Sequence, residues 1–166
     1  MKKTVKITFL GLFTAVALVL SFLETLIPNM VPIPGFKLGL ANFAVLLALY
    51  LFGLKEAVIV DLCRIILAAI LFGSFFSFWY ALTGAAFAVL AEFIIKKTDK
   101  FSPIGVSVFG AIFHNLGQFL VAVIILKSFG ILYYLPFTLL FCVLSGALNG
   151  YLVLILKDRL KFLKKE

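Results

Sequence analysis

The sequence predicts an all-α fold, a polytopic membrane bundle of about six transmembrane helices, and three observations carry that reading. Of 166 residues, 64% are hydrophobic and 13% charged, with a mean hydropathy of +1.24. A water-soluble fold of this size has too little polar sequence to cover so much apolar surface. The apolar stretches follow one another with almost nothing polar between them, so residues 1–166 read as a single integral membrane domain. Finally, the basic residues segregate when the chain is threaded back and forth across a bilayer.

A helix needs about 20 apolar residues to span the hydrocarbon core. Cutting at charges, prolines and glycines gives spans at 6–27, 38–54, 56–72, 76–95, 103–126 and 132–156. The first follows Lys2, Lys3 and Lys6 as a signal peptide would, but it is too long, lacks a small-residue cleavage site and runs into Glu24 and Pro28. The second and third are short and joined by the tight turn Gly53-Leu54-Lys55-Glu56, which leaves a single bent or re-entrant hairpin as the alternative there. With the N-terminus inside, the cytoplasmic segments hold Lys2, Lys3, Lys6, Lys55, Lys96, Lys97, Lys100, Lys157, Arg159, Lys161, Lys164 and Lys165, and the outer loops only Lys37 and Lys127. Twelve against two, with Arg64 inside a span, follows the positive-inside rule and predicts a multi-pass plasma-membrane protein with both termini cytoplasmic. The formal charge of +8 is thereby explained by orientation, and no nucleic acid partner is expected.

The outer segment from Pro28 to Lys37 carries Pro28, Pro32, Pro34 and then Gly35, which predicts an ordered extended loop able to act as a lid. Small residues recur at spacing four in Gly11 and Ala15, Ala81 and Ala85, Gly84 and Ala88, and Gly146 and Gly150, a pattern that lets helix backbones approach closely in lipid. Cys63 and Cys142 fall inside apolar spans without metal-ligand spacing and read as packing residues.

Ionisable side chains within a span are costly and need a partner, a watery cavity or a function. Asp61 and Arg64 lie three apart on one helix face, where they can pair. Alternatively Arg64, oriented by Asp61, offers its planar fork to a carboxylate or phosphate. The run His114-Asn115-Leu116-Gly117-Gln118 is the densest polar cluster in any span; His114 and Gln118 share a face, and Asn115 sits about 100° away. Lys37, Asn42 and Tyr80 belong to the same outer half, so Lys37, Asn42, Arg64, Tyr80, His114, Asn115 and Gln118 are the candidate substrate-binding residues. Interfacial anchoring is the competing role for Lys37 and Tyr80. Asn149 reads as the source of an interhelical hydrogen bond, and Glu24 and Glu92 as residues near helix ends that reach water. Phe75, Phe76 and Phe78 beside Trp79 suggest an apolar body for the ligand.

The sequence contains no phosphate-binding glycine loop with its lysine, no HExxH, no GxSxG and no DDxxD, and its aspartates stand apart at Asp61, Asp99 and Asp158. Neither enzymatic machinery, nor an autonomous ATP-driven pump, nor a metal or other cofactor is expected.

The stretch Pro34-Gly35-Phe36-Lys37-Leu38-Gly39-Leu40-Ala41-Asn42, the Phe72-Gly73-Ser74 turn, Gly105-Val106-Ser107 leading to Gly110-Ala111 and the HNLGQ run, and the late Ser145-Gly146-Ala147-Leu148-Asn149-Gly150 resemble the Gx transporter family, also labelled heptaprenyl diphosphate synthase component I. That family is similar in architecture to the substrate-binding S components of energy-coupling factor (ECF) transporters. The resemblance implies a ligand pocket near the outer face closed by the loop after the first helix. It also implies a docking face of Gly11, Ala15 and Ala17 on that helix for an ECF coupling (T) subunit driven by ATPase subunits. The partners expected are thus a small-molecule substrate, the lipid bilayer and those subunits. The leading reading is capture of a small anionic or amphipathic solute for uptake. A nonenzymatic membrane component of prenyl diphosphate or quinone synthesis is the alternative, and a purely structural bundle subunit the third.

Overall fold

The structure is a computed structural model, which describes residues 3–26 and 39–160. The lid assigned to 28–37, with Lys37, lies outside the described residues. The chain forms α1 (Lys3–Leu26), α2 (Asn42–Leu51), α3 (Leu54–Leu71), α4 (Phe75–Lys97), α5 (Pro103–Leu126), a 3-10 segment (Phe129–Tyr134) and α6 (Leu135–Arg159). No strand occurs among the described residues. α1, α4, α5 and the 3-10 segment continued by α6 are each long and apolar enough to cross a membrane. The fold is the helical membrane bundle that composition predicts.

Helix boundaries follow local chemistry. Ser74 and Ser77 form a reciprocal capping box that starts α4. Ser102 caps α5, with Pro103 supplying the fixed φ of a first helical position, and Lys127 ends it in a left-handed conformation. Gly53, at φ 111°, makes the sharp link between α2 and α3 that few other residues would tolerate.

The predicted second span is corrected. Instead of 38–54, α2 holds 10 residues, about 15 Å at 1.5 Å per residue, half the bilayer core of about 30 Å. Gly39, at φ 84°, opens the turn that leads into α2, in which the N–H groups of Asn42, Phe43 and Ala44 donate to the carbonyls of Gly39, Leu40 and Ala41. Nearly all of α2 is buried, including Ala44 to Leu49 and Leu51. It packs against α1, α3, α4 and α6, so it fills the centre of the bundle over half its height while the longer helices surround it.

Contacts fix which ends lie together. Lys6 pairs with Glu56, Lys96 donates to the Leu49 carbonyl at 2.6 Å, and Lys96 and Lys157 both stand over the Tyr50 ring. The start of α1, the α2–α3 link and the last turns of α4 and α6 therefore share one lysine-rich end, as charge alternation requires.

Small residues join α4, α5 and α6. A Cβ on Gly117 would meet the Thr83 carbonyl oxygen at 2.8 Å, one on Gly146 the Val108 Cα at 3.0 Å, and one on Gly150 the Ile104 Cα at 2.5 Å. Ala81 and Ala85 form the other side of α4 with Ile65 of α3. Gly11, by contrast, has open space where a Cβ would stand, and both it and Ala15 are exposed. Ala17 is corrected: at 0% exposure it points into the core with Phe13 and cannot share an exposed docking face with them. Cys142 is buried, whereas Cys63 is exposed on α3 and is not a core packing residue.

Replacing Gly150 with Leu should lower bundle stability by about 2 kcal/mol or more, because backbone on the facing helix blocks the new side chain. Gly11→Leu should change it by less than about 0.5 kcal/mol. Reversible unfolding in mixed micelles measures both; equal losses would contradict the packing described.

Candidate functional site

The polar side chains of the spans sort into local networks. On α3 the Arg64 Nε lies 2.7 Å and Nη2 2.6 Å from one oxygen, Oδ1, of Asp61, while Nη1 reaches toward the Ser21 hydroxyl of α1 at 3.4 Å. Both members of the pair are buried, Arg64 at 3% exposure. The i, i+3 pairing read from the sequence is therefore present, and its third contact, Ser21, escaped sequence reasoning. Ser21 lies one turn before Glu24 on α1, which was the available signal.

Glu24 and Glu92 are corrected, since both are buried instead of reaching water. Glu24 Oε1 accepts from the Leu40 backbone N–H at 2.7 Å and so tethers the entry of α2 to α1. The Glu92 carboxyl fills the space that a side chain at Gly110 would need. From the opposite side, Asn149 Nδ2 of α6 donates to the Gly39 carbonyl at 3.0 Å, the interhelical bond expected of it. Asn42 is buried at the first position of α2, its amide packed against Gly39.

On α5 the Gln118 Nε2 stands 3.2 Å from His114 Nε2, confirming the shared face. Gly84 of α4 lies so close to the His114 ring that a Cβ there would approach Cε1 to 2.9 Å, so the imidazole is held between the two helices. Thr138 of α6, another residue that sequence reasoning missed, stands with its hydroxyl 3.2 Å from Asn115 Oδ1 and 3.0 Å from the Leu135 carbonyl. Two side-chain atoms of this group, Asn115 Nδ2 and Gln118 Oε1, are buried without a hydrogen-bond partner. Such groups are uncommon in a lipid-shielded core because each forfeits its solvation.

Tyr80 does not join these networks. It is buried at 2% exposure, packed with Phe119, Val121, Ala122 and Ile131. Phe75, Phe76 and Trp79 are exposed on the outside of α4, so they do not line the bundle interior. Phe78 alone of that group packs inward, against the Ile65, Ala81 and Ala85 cluster. The structure thus brings together Asp61, Arg64 and Ser21, and separately His114, Gln118, Asn115 and Thr138. The entry of α2 carries Asn42 just after Gly39, which accepts from Asn149, and Leu40, which donates to Glu24.

Asp61→Asn should destabilise the bundle by about 3–5 kcal/mol, because it leaves the Arg64 charge buried without compensation. Combining it with Arg64→Met should recover most of that loss. A double-mutant cycle on thermal unfolding in detergent tests this, and additive losses would show that the pair is not coupled.

Comparison with known proteins finds one family. The family described as heptaprenyl diphosphate synthase component I matches residues 13–156, which include α2 to α5 and most of α1 and α6. No curated protein and no solved structure matches the chain. With most of its length covered, the chain belongs to the heptaprenyl diphosphate synthase component I family.

Proposed function

We propose that this protein is a nonenzymatic, solute-binding membrane subunit resembling an ECF S component, which takes a small amphipathic molecule from the face opposite its lysine-rich, cytoplasmic end. The observation that carries the reading is the half-length α2, whose first residues lie about 15 Å from the lysine-rich end and therefore near the bilayer midplane. Irregular backbone at that depth is tolerated only where protein buries it or where it borders a cavity. In transporters, helix ends at this depth sit beside substrate. At the entry of α2, Glu24 of α1 and Asn149 of α6 bond to Leu40 and Gly39, and further buried polar groups are carried by α1 (Ser21), α3 (Asp61, Arg64), α5 (His114, Asn115, Gln118) and α6 (Thr138). The charged residues among them cost about 2.5–3.5 kcal/mol each to place in lipid, so each calls for a partner or a function. Arg64, His114, Asn115 and Gln118 are assigned to the solute and Asn42 to the floor of its site. Gly11 and Ala15 on the outer face of α1 are assigned to a coupling subunit.

The family description favours a second reading: a nonenzymatic component acting with a prenyl diphosphate synthase. Copurification from membranes separates the two. Coupling and ATPase subunits support solute uptake, whereas a soluble synthase bearing DDxxD supports the alternative.

Native mass spectrometry of the gently purified protein should release a small molecule at near-stoichiometric occupancy. Arg64→Ala and His114→Ala, compared at matched folded fraction, should each reduce that occupancy at least about tenfold. A protein that retains nothing, alone or with its copurifying subunits, argues against the proposal.

A further inference from the structure

We infer that Asn115 and Gln118 form a subsite for a neutral group that both donates and accepts a hydrogen bond, such as a cis-amide or lactam edge, and that the solute's recognised end is uncharged. The inference rests on the solute-binding reading above and narrows it.

The two residues are three apart on α5 and both are buried at 2% exposure or less. Each amide is held at one end. Asn115 Oδ1 faces the Thr138 hydroxyl, and Gln118 Nε2 faces His114 Nε2, whose ring is clamped against Gly84. The opposite ends, Nδ2 of Asn115 and Oε1 of Gln118, have no partner. One is a donor and the other an acceptor. A group that supplies both complements satisfies both atoms at once. An anion accepts only, leaving Gln118 Oε1 orphaned and facing negative charge; a cation donates only, leaving Asn115 Nδ2 orphaned.

The buried charges agree. Among the described residues Arg64 is the only buried Lys or Arg side chain; its Nε donates to Asp61, and its Nη2 is ion-paired with the same oxygen but has no hydrogen-bond partner. Glu24, Asp61 and Glu92 are buried as well. The buried carboxyl groups thus outnumber the one guanidinium, which is already paired with Asp61.

The rival occupant is a single trapped water, which also donates and accepts. The experiment uses the full chain in lipid nanodiscs, observing the side-chain amide signals of ¹⁵N-labelled Asn115 and Gln118. They are assigned with Asn115→Leu and Gln118→Met, which keep volume and remove polarity. Three probes are titrated: 2-pyrrolidinone, with a cis-amide edge; cyclopentanone, the same ring with an acceptor only; and inorganic phosphate. The subsite predicts saturable shifts of both amides with 2-pyrrolidinone. It predicts affinity about tenfold weaker for cyclopentanone, the size of one buried hydrogen bond, and no response to phosphate. Equal response to the lactam and the ketone, or a response to phosphate, overturns it, and this comparison needs no substituted protein. Amides that contact only water and ignore every probe overturn it as well. A solute retained equally by wild type and Gln118→Met in native mass spectrometry removes the subsite while leaving the carrier role intact. Silent amides together with no retained solute in any preparation remove both.

Discussion

The architecture depends on how a short helix can begin inside the bundle. Lipid offers nothing to an unpaired N–H or carbonyl, so the backbone before α2 must find its partners within the protein. The Glu24 carboxylate receives the Leu40 N–H from α1, and Asn149 donates to the Gly39 carbonyl from α6. Two side chains from helices on either side of α2 therefore stabilise a break that the bilayer would otherwise oppose. The surrounding helices follow from it: α2 can be buried on nearly every face because it is short and its neighbours overreach it.

The polar groups then divide by what holds them. Asp61 and Arg64 neutralise each other within α3, so the costliest charges of the interior are compensated locally. The α5 group is assembled across helices, with Gly84 on α4 letting the His114 ring approach and Thr138 arriving from α6. The first network secures the helix that carries it, and both leave hydrogen-bonding capacity unused: Nη2 of Arg64 in the first, Nδ2 of Asn115 and Oε1 of Gln118 in the second.

Much of this was legible in the sequence, and the parts that were not share a cause. The span 103–126 coincides with α5, because a serine cap, a proline at the first turn and a run of apolar residues define it locally. Pairings within one helix, Asp61 with Arg64 and His114 with Gln118, follow from a period of 3.6 residues. The length of α2 was misjudged because Leu38, Leu40 and Ala41 are apolar and extend the run. Only Gly39 among them marks the break, through a positive φ that composition cannot display. Partners on other helices, Ser21, Thr138 and the two ends of the α2 tether, depend on how each helix is rotated about its axis, which hydropathy does not encode. The same ignorance of rotation puts Glu24 and Glu92 in water and Ala17 on an outer face.

The brevity of α2 also constrains biosynthesis. A helix of 10 residues that begins with Asn42 is too short to span the bilayer by itself, so a hairpin with α3 would be its route out of the translocation channel. α3 carries the aspartate and arginine that a channel would reject most strongly, yet they are one turn apart and can neutralise each other as soon as that turn winds. The nascent hairpin thus brings its own counter-charge into the lipid before α4, α5 and α6 exist to shelter it.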